Sequence, residues 1–148
     1  MRNDELVFVY GTLMSGYGNN RLLDLDNLIC ETTVNGSLWS VAPFPGYRRE
    51  GEGVVHGELY WVDDDSMFHL DNLEGYFGDT DPNNMYNRIV TKVSHPEYKD
   101  HIVYIYEWNE PIDEIKYKYK EITTGNYRDF NYEEYIRDTR RVSNFGVR

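Results

Sequence analysis

The chain opens with five consecutive apolar or aromatic residues, Leu6-Val7-Phe8-Val9-Tyr10, that give way abruptly to a segment with glycines at 11, 16 and 18. This pattern predicts a buried strand feeding a tight loop. Asn19 or Asn20 is placed to cap a short helix over Arg21 to Leu28, with Leu22, Leu25 and Leu28 on its inner side. A strand follows from Thr32 to Val41, with a bulge or bend at Gly36. Pro43, Pro45 and Gly46 end it in a loop, Ala42 to Tyr47, before a clear strand from Gly53 to Val62.

Asp63-Asp64-Asp65 then caps a helix that carries Ser66 to Glu74 and stops at Gly75. The polar stretch Gly78 to Asn84 predicts an exposed loop. Strands over Tyr86 to Ser94 and Ile102 to Trp108 are joined by a turn around His95-Pro96-Glu97. The charged run Glu114 to Glu121 reads as irregular or edge-like, and Tyr132 to Arg140 as a last short helix. Five or six strands against two or three short helices, with no linker or repeat, predict a single domain over residues 1–148. Its fold class is α+β, a small, mostly antiparallel β-barrel with a few short flanking helices.

Composition narrows the function. A net charge of -11 disfavours nucleic acid or an anionic membrane as partner, because both require clustered Lys and Arg. A small molecule is the expected ligand; the oligomeric state is left open. Cys30 is the only cysteine, and the start Met-Arg-Asn-Asp-Glu has no apolar run, so a cytoplasmic location is expected. Fourteen tyrosines suit strands and pocket walls that are apolar at the base and polar at the tip.

Two features carry candidate chemistry. In the first, unpaired N–H groups of the Gly11 to Gly18 loop form a cradle for an anion or a polarised oxygen. The spacing Gly11-x4-Gly16 is not a nucleotide phosphate loop, because Tyr17 and Gly18 stand where that motif needs Lys and Ser or Thr. In the second, Met67, Leu70 and Leu73 mark the inward stripe of the Asp64 to Glu74 helix. Glu74, seven residues after Met67, falls about 20° round from it and within that stripe. Burial and the negative helix end both raise its pKa towards the range useful for proton transfer. The plain alternative is a Glu74 that swings into water or pairs with Arg88. Asp64, Asp65 and Asp71 read as caps or solvated surface, and Ser15 as a residue that hydrogen-bonds the turn. The four histidines lack metal-ligand spacing, Cys30 reads as a small buried thiol, and no cofactor is expected.

Val7-Phe8-Val9-Tyr10-Gly11-Thr12-Leu13 resembles the Tyr-Gly-Thr-Leu signature of the gamma-glutamylcyclotransferase-like superfamily, which includes gamma-glutamylamine cyclotransferases and AIG2-like proteins. Gly57-Glu58-Leu59-Tyr60 resembles its Gly-x-Leu-Tyr or Gly-x-Val-Tyr strand, and Leu70-Asp71-Asn72-Leu73-Glu74-Gly75 its Leu-Asp-x-x-Glu-Gly helix end. Tyr86-Asn87-Arg88 and Val103-Tyr104-Ile105-Tyr106 match two further strands, so the resemblance covers roughly residues 6 to 108 in order.

The resemblance implies a barrel with a pocket at one end and an enzyme of the acyl-transfer-with-cyclisation type, classed as lyase or transferase. The α-amine of a gamma-glutamyl amine or amino compound attacks its own γ-carbonyl and releases 5-oxoproline. Glu74 is then the catalytic acid and base. Tyr10, Gly11, Thr12, Leu13 and Tyr86 bind substrate, the backbone of the loop as donors and the tyrosines as walls or orienting hydroxyls. Arg88 is structural, the loop Gly78 to Asn84 lies where it would cover the pocket mouth, and Gly125-Asn126-Tyr127-Arg128 matches only loosely a C-terminal family element. The alternatives are a non-catalytic binder of small carboxylates with the same fold, and an interaction domain with an exposed aromatic patch.

Overall fold

A computed structural model describes residues 4–137 of the chain. The first apolar run forms β1 (Glu5–Val9), every residue after Glu5 being buried. It pairs antiparallel with β5 (Val54–Val62) and, at Leu6 and Val7 only, parallel with β7 (Val103–Trp108). On the outer side of β5 lies β2 (Leu28–Asn35), and β6 (Tyr86–Thr91) runs antiparallel along the whole of β7. The bridge between Val34 and Val93, with the Ser94 N–H donating to the Thr33 carbonyl at 2.9 Å, joins the two margins of this β2-β5-β1-β7-β6 sheet. The core inside is apolar, with Val7, Phe8, Val55, Leu59 and Ile105 fully enclosed.

The sheet forks. Beyond Val7, β1 leaves β7, and β4 (Pro45–Arg48) takes its place through the parallel pairing of Tyr47 with Glu107. Beside β4 run β3 (Ser37–Ser40) and the short edge β8 (Lys120–Glu121). The Tyr10 side chain fills the crotch. Its hydroxyl donates to the Tyr106 carbonyl at 2.6 Å and accepts from the Tyr47 N–H at 3.1 Å, so it stands in for the ladder bonds lost where β1 turns away. Gly11 lies against Pro45; a Cβ on Gly11 would come within 2.7 Å of Pro45 Cγ. That close approach, rather than turn geometry, requires this glycine.

The helix α1 (Asp64–Glu74) follows its caps: Asp63 accepts from the Ser66 N–H at 2.8 Å, and Gly75 takes the left-handed conformation at φ 66°. Met67 and Leu70 face the core as the spacing predicts, but Leu73 is 41% exposed. Arg88 on β6 pairs with Asp71 at 2.7 Å, and so does the Tyr106 hydroxyl on β7. Two adjacent strands therefore hold the last turn of α1. Asp71 is a structural anchor and not a solvated surface acid.

Several local expectations are corrected. Residues 21–28 form no α-helix: two 3-10 turns, Gly18–Leu22 and Leu25–Asn27, precede β2, which already starts at Leu28. Neither asparagine caps them. Asn20 is buried and donates through Nδ2 to the Leu13 carbonyl at 2.8 Å and to the Tyr60 hydroxyl at 3.1 Å. Gly36, at φ 144°, divides the expected Thr32 to Val41 strand into β2 and β3. The expected 42–47 loop contains β4, where Pro45 is tolerated as the first strand residue because it has no N–H to leave unpaired. The run 114–121 contains most of a helix, α2 (Ile112–Lys118), docked by the enclosed Ile115, together with β8. The last helix begins at 132 and is described to 137; the remainder of the expected Tyr132 to Arg140 helix lies outside the described residues. Among the described residues no helix is long and apolar enough to cross a membrane.

Replacing Tyr10 by Phe keeps the ring but strands the Tyr47 N–H and the Tyr106 carbonyl in the buried fork. Tyr10→Phe is expected to lower the unfolding free energy by about 1–3 kcal/mol, the usual penalty for leaving such groups unpaired, measured by urea denaturation.

Candidate active site

The chain leaving the fork builds one wall of a cavity of about 160 Å³. Tyr10, Gly11, Thr12 and Leu13 line it from the loop, Leu73 and Glu74 from the end of α1, and Met85, Tyr86 and Tyr106 from β6 and β7 or beside them. Phe8 and Val9 close its floor, and Phe44 and Pro45 a flank. All six residues expected at a site, Glu74 with Tyr10, Gly11, Thr12, Leu13 and Tyr86, thus meet in one space.

Glu74 is half-buried and lines this cavity. Burial pushes its carboxyl up from the ordinary 4.5 to about 7. Arg88 does not relieve it, being committed to Asp71 and held between the Tyr76 and Tyr104 rings, 5.2 and 5.1 Å from their centroids. Among the described residues no hydrogen-bond donor or cation contacts the Glu74 carboxyl. The structure thus holds a carboxyl that gains and loses its proton near neutrality, on the helix turn that Asp71 pins to the barrel.

The loop opposite is held from beneath. The carboxylate of Glu58, 3% exposed, accepts from the Ser15 N–H and from the Ser15 hydroxyl, both at 2.6 Å, and the Tyr60 hydroxyl donates to it at 3.1 Å. Arg128 donates to the Ser15 carbonyl at 2.8 Å and lies 5.3 Å from the Tyr17 ring centroid. Ser15 therefore bonds a buried acid from the neighbouring strand β5 and the Arg128 guanidinium, in place of the turn it was expected to bond. Gly11 accepts from the Met14 N–H at 3.0 Å, closing the turn. Among the described residues nothing accepts from the N–H groups of Gly11, Thr12 or Leu13. These donors are unspent at the cavity wall, where an anion or a polarised carbonyl oxygen can take them.

The tyrosines serve as wall. Tyr10 is committed to the fork, Tyr86 donates to the Pro45 carbonyl at 2.7 Å and Tyr106 to Asp71, so their hydroxyl protons are engaged away from a ligand. Burial pushes the Tyr10 and Tyr86 hydroxyls well above the usual phenol range. Sequence reasoning missed Tyr106, Phe44 and Asn19. Asn19 lines the cavity and donates through Nδ2 to Thr12 Oγ1 at 2.9 Å, which leaves the Thr12 hydroxyl proton free to donate. The loop at 78–84 does not line this cavity: Asp79 to Pro82 border a separate depression with Arg49 and Arg88. Arg128 lies behind the 11–16 loop and Tyr127 against Pro43, so the 125–128 segment supports the site without lining it. Among the described residues no three His, Cys, Asp or Glu side chains are grouped to hold a metal ion.

Comparison with known proteins gives this site its setting. Over 90 residues, 60% of the chain, it is 34% identical to the gamma-L-glutamyl-butirosin B gamma-glutamyl cyclotransferase of Niallia circulans, and that match spans 57% of the relative. A gamma-glutamylcyclotransferase family protein of Escherichia coli K12, YtfP, is 29% identical over 124 residues, which are 83% of this chain and 96% of that one. Among solved structures an AIG2-like protein from Mus musculus superposes with a TM-score of 0.60 at 22% identity, over 79% of this chain and 86% of that one, which establishes the likeness of fold. The family model described as gamma-glutamyl cyclotransferase, AIG2-like matches residues 7–129, from the first strand through the segment that supports the loop. The chain belongs to the gamma-glutamyl cyclotransferase, AIG2-like family.

Proposed function

We propose that the protein is a gamma-glutamyl cyclotransferase that releases 5-oxoproline from a gamma-glutamyl amine or gamma-glutamyl amino compound, with Glu74 as general acid and base. The observation that carries this reading is the unpaired Glu74 carboxyl, near neutrality in its proton affinity, lining the cavity that the unspent N–H groups of Gly11, Thr12 and Leu13 border.

In the reaction the Glu74 carboxylate takes a proton from the substrate's α-ammonium. The freed amine attacks the γ-carbonyl carbon, and the new N–C bond closes a five-membered ring. The ring nitrogen gives up a second proton as the bond to the departing amine breaks, and the departing nitrogen takes two, one of them from Glu74, so that it leaves as an ammonium. No water is consumed, and one residue suffices because nucleophile and target are tethered in the same molecule. Loop N–H groups hold the substrate's carboxylate or steady the oxyanion that develops on the carbonyl oxygen. The rings of Tyr10, Tyr86 and Tyr106 exclude water from the closing ring.

Incubation with a panel of gamma-glutamyl amides is expected to yield 5-oxoproline, and Glu74→Gln to lower turnover by about 10²–10⁴-fold, the usual worth of a positioned acid or base. Binding of glutamate or 5-oxoproline with no turnover of any compound would instead assign a binding role. The wild-type kcat/KM is expected to rise about tenfold per pH unit and to level off above about 7, where the carboxylate form dominates.

The same group gives a test independent of substrate. Its proton affinity in the fold lies above that in the unfolded chain, so stability falls as pH rises from about 4.5 to about 7 and is flat beyond. Glu74→Gln removes that loss. Its gain in unfolding free energy over wild type is expected to be larger at about pH 8 than at about pH 4.5 by about 3 kcal/mol, read from urea titrations at the two pH values.

A further inference from the structure

The loop that carries the cavity's donors is seized by its carbonyls. The Gly11 carbonyl accepts from the Met14 N–H at 3.0 Å, the Leu13 carbonyl from Asn20 Nδ2 at 2.8 Å and the Ser15 carbonyl from Arg128 at 2.8 Å. A trans peptide unit points its N–H opposite to its C=O, so the bond at the Gly11 carbonyl aims the Thr12 N–H the other way. Two of these three anchors lead to one carboxylate. Glu58 Oε1 accepts from the Ser15 N–H and from the Tyr60 hydroxyl, which accepts in turn from the Asn20 amide that holds Leu13. Glu58 Oε2 accepts from the Ser15 hydroxyl and lies 3.7 Å from Arg128 Nη2.

Arg128 comes from far along the chain, yet it is set by the same strand as Glu58. The Gly125 carbonyl accepts from the His56 N–H at 2.8 Å, Gly125 leaves no room for a Cβ against the Val54 carbonyl, and Asn126 Oδ1 accepts from the Arg128 N–H at 3.1 Å. Val54 and His56 open β5, which carries Glu58. Arg128 and Glu58 line a second cavity, of about 270 Å³, that shares no lining residue with the candidate site, so neither touches a ligand in the first.

We infer that Arg128 and Glu58 are positioning residues: through Ser15 and Leu13 they hold the Gly11 to Leu13 loop with its N–H groups, and not its carbonyls, turned to the substrate. This rests on the cyclotransferase reading for what the donors meet, a carboxylate or a developing oxyanion. A carbonyl in place of one N–H would repel either. Donors fixed in advance need no rearrangement as charge develops, and that is where the clamp acts on the rate.

The test removes the clamp from its exposed end. Arg128, 39% exposed, lies outside the apolar core, and Arg128→Ala is expected to lower kcat/KM for a gamma-glutamyl amide by about 10- to 100-fold, the cost of misplacing a reacting group by about 1 Å. Guanidinium ion, added far below the concentrations that unfold the protein, can reach the emptied position from the second cavity. It is expected to restore most of the loss, and sodium chloride of equal ionic strength none. The kcat/KM profile of the variant is expected to level off still near pH 7, because Glu74 keeps its burial. Glu58→Gln is expected to act in the same direction, and the double variant to lose less than the product of the two single losses, as residues of one network do. Full activity in Arg128→Ala, a loss that guanidinium ion leaves in place, or a profile displaced towards pH 4.5 overturns the positioning role while cyclotransferase activity stands. Absence of 5-oxoproline from every compound given to the wild type overturns the activity itself, and this inference with it.

Discussion

A single hydroxyl at the fork of the sheet governs how this structure is put together. A strand that parts from its neighbour leaves backbone donors and acceptors with no partner, and inside a protein each such group is costly. Tyr10 supplies one donor and one acceptor from the same atom, to Tyr106 and Tyr47, and so lets β1 leave β7 and β4 enter. The cavity occupies the space opened by that parting. Its loop wall, its aromatic lining and the close seat of Gly11 on Pro45 all follow from the same divergence.

The other wall depends on a division of labour between two acids a turn apart. Asp71 takes the Arg88 guanidinium and the Tyr106 hydroxyl, and in doing so pins α1 to β6 and β7. Glu74 receives neither, and burial alone sets its affinity for a proton. Had Arg88 faced Glu74, the pairing would have held that carboxyl in its charged form, suited to structure and poorly suited to returning a proton. The orientation of one arginine thus separates a strut from a titratable group at the cavity.

Much of this was legible in the chain because it is local. The five-residue apolar run, the Asp caps, Gly75 and the seven-residue step from Met67 to Glu74 each encode geometry within a turn or a strand, and the fold keeps them all. What stayed hidden depends on partners distant in sequence. Strand β4 carries Pro45 and Gly46, poor strand formers, and exists because β3 and β7 flank it. The leucines of 22–28 have helical spacing, yet Asn20 is drawn inward to Leu13 and Tyr60, and pairing with β5 claims the chain from Leu28 onward. Tyr106 looked like one more strand aromatic; only the meeting of β7 with α1 shows that it lines the cavity. Six of the tyrosines, among them Tyr47 and Tyr60, are buried, so their abundance serves the interior more than an aromatic surface patch.

The grip on Ser15 has its own bearing on how such a molecule can change over time. Every polar atom of that residue is engaged, by Glu58 from one side and Arg128 from the other, so the loop above it has little room to adapt. On the facing rim the Leu73 and Met85 side chains are exposed and apolar, and among the described residues they carry no such hydrogen bonds. Descendants of this chain are therefore free to diversify on one bank of the opening while the opposite bank stays as inherited.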